Sequence, residues 1–297
     1  MAPRPIMSML APKISESTED LRTTRKGALV TEEPAANDGA QKLDTNVPQT
    51  ARIWNYLLGG KDNFAADRAV GDQIIENVPH LAEYARLSRK YLARAVRYLA
   101  EEAGIRQFLD IGTGLPTADN THEVAQRYAP AAKIVYVDND PLVLAYVQAL
   151  LTSSPEGATD YVDADLYDPA TILQEAGKTL DFDQPVALML MGVLGHVESD
   201  EQAKSIIHQL IDRLPSGSYF AMYDGADTEP SVVEAARIWN LSAEPKYHLR
   251  SPERIEAFFD GLELVEPGVV SVTRWRPDAE AAAQPVIAQY CAVGRKP

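Results

Sequence analysis

The run Phe108-Leu109-Asp110-Ile111-Gly112-Thr113-Gly114-Leu115-Pro116-Thr117 takes an apolar stretch into an acid and then breaks into a glycine loop. A second apolar run, Ile134-Val135-Tyr136-Val137, also ends in an acid, Asp138. Glycines in such a loop let a ligand approach the backbone. A carboxylate at the tip of the neighbouring strand can accept from two vicinal ribose hydroxyls. The chemistry implied is recognition of a ligand that carries adenosine.

The rest of the loop narrows the choice. A dinucleotide site wants a third glycine where the helix closes on a pyrophosphate, but Thr117 stands there behind Pro116. The ribose acid of such a site lies about 20 residues on, whereas Asp138 follows Gly112 by 26 (138 − 112). A nicotinamide-dependent oxidoreductase is therefore poorly served. S-adenosylmethionine has no phosphate and carries a sulfonium, so carboxylates around the crevice favour it. Asp110 suits the ligand's positive end or its ammonium. Asp138 suits the ribose, since Asp140 already supplies a cap for the helix that follows. Asp165, or else Asp163, suits the adenine amino group, although acids beside Asp168 also form turns.

Methyl transfer from such a donor is an in-line displacement, helped mainly by positioning and exclusion of water. A general base is needed only where the acceptor loses a proton. His196 is the best-placed base, and a loop histidine bonded to backbone is the alternative. Tyr223 and Asp224 are weaker candidates. A non-catalytic protein that binds or senses the donor is the reading from a different class.

These residues need a sheet to hold them, and the chain supplies one. Helical patterns cover Ala51 to Leu58, Ala65 to Val78 and Leu81 to Ala103. In the third, Leu81, Tyr84, Ser88, Leu92, Val96 and Leu99 share a face, and Arg86, Arg89, Lys90, Arg94 and Arg97 read as a solvated opposite side. Strands are predicted at Ile105 to Ile111, Lys133 to Asp138, Thr159 to Asp163, Val186 to Met191 and Ser218 to Tyr223. Helices separate them, one running from Pro141 to Leu151, and Asp140-Pro141, Asp168-Pro169 and Ser199 with Gln202 mark helix starts. Further helices are expected near Pro230 to Asn240 and from Ser251-Pro252 to Phe259. Leu262 to Trp275 and Val286 to Val293 then form two strand-like segments with no helix between them. Alternation implies α/β architecture, a doubly wound, mostly parallel sheet with an antiparallel C-terminal hairpin. Crevice residues then lie outside the carboxyl ends of the strands.

Bulk properties set limits. The 297 residues are 45% hydrophobic, enough for a sizeable core, and the formal net charge of −15 argues against a nucleic-acid partner. No apolar run approaches the ~18 residues of a membrane span. One cysteine, Cys291, excludes an intrachain disulfide and any multi-cysteine metal site. The five histidines have no metal-ligand spacing. A cytoplasmic location fits these features, and no metal is expected. Residues 1–47 read as a disordered tail, 48–104 as a helical segment and 105–297 as the ligand-binding domain. Oligomeric state is not readable.

Four blocks of the chain also resemble a known family. They are Ala51-Arg52-Ile53-Trp54-Asn55-Tyr56-Leu57-Leu58-Gly59-Gly60-Lys61-Asp62-Asn63-Phe64-Ala65-Ala66-Asp67-Arg68; Arg94 to Leu99 with Asp110 to Thr117; Tyr136 to Pro141 with Ala164 to Pro169; and Phe258 to Gly268, Trp275-Arg276-Pro277 and the terminal Gly294-Arg295-Lys296-Pro297. Together they are similar to an actinobacterial family of S-adenosylmethionine-dependent methyltransferases of the class I, Rossmann-like superfamily. The resemblance implies a seven-stranded sheet, bound S-adenosyl-L-methionine and a small-molecule acceptor. It also implies that residues 48–104 carry a lid, with Tyr56, Gly59, Gly60, Lys61 and Asn63 at the cofactor. Thr113 would join Gly112 and Gly114, Asn139 would join Asp138, and Leu166 would join Asp165. The chain departs from the family where Leu194-Gly195-His196 replaces a Leu-His pair and Tyr223-Asp224 replaces Ser-His.

Overall fold

Every central strand is buried on both faces, which requires helices on both sides of the sheet. The computed structural model describes residues 44–150 and 153–297. Most of the expected tail, and the end of the helix expected to reach Leu151, lie outside the described residues. Five parallel strands, β1 (Gln107–Ile111), β2 (Lys133–Asp138), β3 (Ala158–Asp163), β4 (Ala187–Met191) and β5 (Tyr219–Gly225), alternate with helices. β8 (Gln289–Arg295) runs antiparallel beside β5. The order across the sheet is β3-β2-β1-β4-β5-β8, ending on β6 (Glu263–Leu264), so the chain reverses direction of travel between β1 and β4.

The segment Leu262 to Trp275 is not one continuous strand. It pairs with β8 only at β6 (Glu263–Leu264) and β7 (Val270–Ser271), opposite Arg295 and Gly294 and then Cys291 and Tyr290. Pro267 stands between the two pieces and has no N–H for a ladder. The edge strand is thus interrupted, and the sheet counts eight strand segments. A short helix, α10 (Ala279–Ala283), also lies between β7 and β8 where none was expected. Asp278 caps it, accepting from the Ala281 N–H at 2.8 Å.

Side-chain alternation divides the core. Phe108, Ile134, Met189, Tyr223 and Val293 face one layer, which holds α1 (Thr50–Leu57), α2 (Ala65–Asn77), α3 (Leu81–Glu101), α4 (Thr121–Tyr128) and α8 (Pro230–Ser242). Leu109, Val135, Leu188 and Met222 face the other, with α6 (Pro169–Ala176), α7 (Asp200–Asp212) and α9 (Pro252–Glu256). The remaining helix, α5 (Pro141–Leu150), follows β2. No described helix is long and apolar enough to cross a membrane.

α3 is the central beam of the first layer. Its buried face packs on the sheet, and the Tyr91 hydroxyl donates to the carbonyls of Met222 (3.1 Å) and Ala292 (3.0 Å). Arg52 and Asp67 fasten α1 to α2, with Nε 3.3 Å from Oδ1 and both side chains buried. Asp67 also accepts from the N–H groups of Gln49 (2.9 Å) and Phe64 (2.8 Å), so one carboxylate fixes the start of both helices. Breaking a buried pair of this kind costs about 3–5 kcal/mol.

Candidate functional site

Where β1 stops, the chain must turn at once to clear β2. Gly112 makes the turn at φ +73° and donates its N–H to the Val137 carbonyl at 2.8 Å. A Cβ here would sit 2.5 Å from Val193 Cγ2, so only glycine fits. Gly114, at φ +65°, faces open space instead, with no atom within 4 Å of a Cβ placed on it. Its N–H donates to Asp138 Oδ2 at 2.8 Å. The other carboxylate oxygen, Oδ1, accepts from Asn139 (2.9 Å) and Asp140 (3.0 Å). Asp138 therefore braces the loop and still has acceptor capacity at Oδ2.

These tips open onto a cavity of about 340 Å³. Asp110, Gly112, Thr113, Gly114, Asp138, Asn139, Asp165, Leu166 and His196 all line it. Asp163 does not. Asp165 accepts from the Tyr167 N–H (2.9 Å) and from Asn139 Nδ2 (3.2 Å). Asp110 is buried against Thr121, whose hydroxyl donates to it at 2.6 Å. Burial pushes the carboxyls of Asp110 and Asp138 up to about 6, against the pull of the Thr121 hydroxyl on Asp110 and of backbone N–H groups on Asp138. Both stay mainly ionised at neutral pH, in a setting where a cation or a hydroxyl is welcome.

The first block behaves differently. Tyr56, Gly59, Gly60, Lys61 and Asn63 do not line the cavity. Tyr56 donates to Asp72 at 2.5 Å and packs on Gly71. Asn63 Nδ2 donates to Asn55 Oδ1 and to the Gly60 carbonyl, both at 3.0 Å, holding the α1–α2 turn, while Lys61 is exposed. Earlier in the same block, Ala51, Trp54, Asn55 and Leu58 do line the cavity, as does Thr50 just before it. Helical spacing explains the difference: the face of α1 turned to the cavity is set by residues three and four apart, and the glycine turn leaves that face. Asp62 reaches α5, accepting from the Tyr146 hydroxyl at 2.7 Å.

His196 sits in a single 3₁₀ turn, Leu194–His196, after β4. Its Nδ1 is 2.8 Å from the Lys246 carbonyl. A carbonyl only accepts, so Nδ1 carries the proton and Nε2 keeps its lone pair. Burial lowers the imidazole's pKa, so the ring stays neutral. Tyr247 packs edge-on to the ring at 5.1 Å and donates its hydroxyl to Asp224. Asp224 does not line the cavity, while Tyr223 does.

Several wall residues escaped the sequence reading. Arg89 comes from the stripe assigned to solvent, yet it lines the cavity with a buried Nε. Gln289, on β8, presents a buried Oε1 with no partner among the described residues. Trp239 adds an indole face. Only tertiary packing brings these together, because β8 is inserted next to β5 from the far end of the chain. Leu81, Leu92, Val232, Ala235 and Leu249 add apolar surface to the wall.

Against known proteins, residues 36–297 match a family model described as S-adenosyl methyltransferase. A DUF574 family protein from Streptomyces avermitilis has 47% sequence identity and superposes with a TM-score of 0.82, covering 86% of this chain and 99% of that one. A candidate methyltransferase from Thermobifida fusca has 43% identity and a TM-score of 0.78, covering 85% of this chain and 96% of that one. No curated protein matches the chain.

Proposed function

We propose that this chain, which belongs to the S-adenosyl methyltransferase family and uses S-adenosyl-L-methionine as methyl donor, methylates a small acceptor with a largely apolar body. The observation that carries the proposal is a cavity lined by two kinds of group: the glycine loop with Asp110, Asp138 and Asp165, and the apolar or aromatic side chains of Leu81, Leu92, Val232, Ala235, Trp239 and Leu249. We assign the first set to a donor half and the second to an acceptor half. Apolar walls with a few converging polar groups suit a small organic ligand.

The donor half fits the donor's chemistry. Asp138 Oδ2 retains a lone pair for a ribose hydroxyl, and the open space beside Gly114 leaves room for the nucleoside. Asp165 would take the adenine amino group, and Asp110 the ammonium. When bound, the donor supplies a methyl group on a sulfonium, which needs no further activation by the protein.

The acceptor half then has to orient and, where required, deprotonate. His196 Nε2 is the base: it takes the acceptor's proton as the acceptor's lone pair takes the methyl group. Tyr223 keeps a neutral phenol, since burial raises its pKa, and Gln289 offers an amide, so both can fix the acceptor's polar end. The α1–α2 segment acts as a lid, with Ala51 and Trp54 on the cavity and Asp62 tied to Tyr146. A cytoplasmic setting is part of the same proposal.

Isothermal titration tests the reading. S-adenosylhomocysteine should bind one-to-one, while NAD should give no heat. Binding of NAD with no response to S-adenosylhomocysteine would overturn it.

A further inference from the structure

Among the described residues, Arg89 is the only arginine or lysine that lines the cavity. No acid lies within ion-pair distance of it among the described residues, whereas the two fully buried arginines are matched: Arg52 with Asp67, and Arg250 with Asp200. Nη2 donates to two main-chain carbonyls, Ala118 at 3.3 Å and Asp119 at 3.2 Å. Nε is buried and has no partner among the described residues. A buried N–H left unpaired is costly, and a guanidinium N–H makes a strong, charge-assisted bond to a carboxylate.

The cavity's other full charges are the acids Asp110, Asp138, Asp140 and Asp165. They suit an ammonium, a sulfonium and hydroxyls, and they repel an anion. The methyl donor has one anionic group, the carboxylate of its methionine half. One cation on the wall thus faces one anion on the ligand. Arg89 and Asp110 also sense each other, since the guanidinium pulls the Asp110 carboxyl down against the effect of burial.

We infer that Arg89 anchors the donor's α-carboxylate while Asp110 receives the neighbouring ammonium, so that the two side chains together read the amino-acid end of the ligand. This rests on the cofactor placement proposed above. It also gives the two bonds to Ala118 and Asp119 a purpose, because they hold the guanidinium through Nη2 and leave the Nε–H for the ligand.

The test separates an anchor from a mere tether of the loop at Ala118 and Asp119. S-adenosylhomocysteine, its decarboxylated analogue and 5′-methylthioadenosine, which lacks the whole amino-acid end, are titrated into the wild-type protein and Arg89→Met. The wild type should prefer S-adenosylhomocysteine to the decarboxylated analogue by roughly 10- to 100-fold, the span of charged hydrogen bonds. Arg89→Met should erase that preference and leave 5′-methylthioadenosine affinity within about twofold. Equal wild-type affinity for the first two ligands would overturn the assignment without any variant. So would an Arg89→Met protein, folded by circular dichroism, that weakens all three ligands alike. A wild type that binds none of them would instead overturn the cofactor placement itself.

Discussion

The Gly114 N–H donates to the Asp138 carboxylate at 2.8 Å, so the tip of β2 and the loop after β1 form one hydrogen-bonded unit before any ligand arrives. That bond preorganises the ribose subsite, because the carboxylate is held by three backbone N–H groups and cannot rotate away.

Asp138→Ala should therefore weaken S-adenosylhomocysteine binding by about 1.5–3 kcal/mol, the scale of hydrogen bonds to a charged group. Titration calorimetry on a folded variant measures it. An unchanged affinity would remove Asp138 from the site.

The two loop glycines should separate stability from binding. Gly112→Ala meets Val193 and a positive φ together, so its melting temperature should fall clearly. Gly114→Ala carries only the backbone strain, about 1–2 kcal/mol, but its methyl group enters the ligand's space. Thermal melts should rank Gly112→Ala as the less stable. Among variants that fold, calorimetry should show Gly114→Ala losing affinity beyond its loss of stability.

Acid should loosen the donor. Asp110 and Asp138 have folded-state pKa values raised to about 6, so in the unliganded protein their contribution favours the folded state at low pH and is lost as pH rises through 6. A bound cation prefers ionised Asp110, so binding releases protons and the affinity for S-adenosylmethionine should climb roughly tenfold from about pH 5 to about pH 7. His196 opposes this little, because burial lowers its pKa. Titrations across that range should show the climb, and Asp110→Asn should flatten it.

His196→Ala should leave S-adenosylhomocysteine affinity within about twofold and slow methylation of an acceptor that must lose a proton by roughly 10²- to 10⁴-fold. The fall should be smallest at high pH, where solvent can take the proton. A variant with full activity at every pH would leave His196 a purely structural residue.

Much of this was legible in the chain. Apolar runs ending in Asp110 and Asp138, with helices between, dictate parallel strands and put both acids at one edge. What stayed hidden depends on three-dimensional packing. Arg89 shares a stripe with Arg86 and Arg97, which pair with Glu83 and Glu101 on the surface, and nothing in the spacing sets it apart. Gln289 becomes a wall residue only because β8 is inserted beside β5. The interrupted edge at β6 and β7 follows from Pro267, whose missing N–H breaks a segment whose hydrophobicity alone reads as continuous.

A crystal structure with S-adenosylhomocysteine bound tests the central claim most directly. The account predicts the ribose hydroxyls on Asp138, adenine beside Asp165 and Leu166, and the amino-acid end between Asp110 and Arg89, with the apolar half left for the acceptor. Ligand density elsewhere, or a ribose turned away from Asp138, would contradict it.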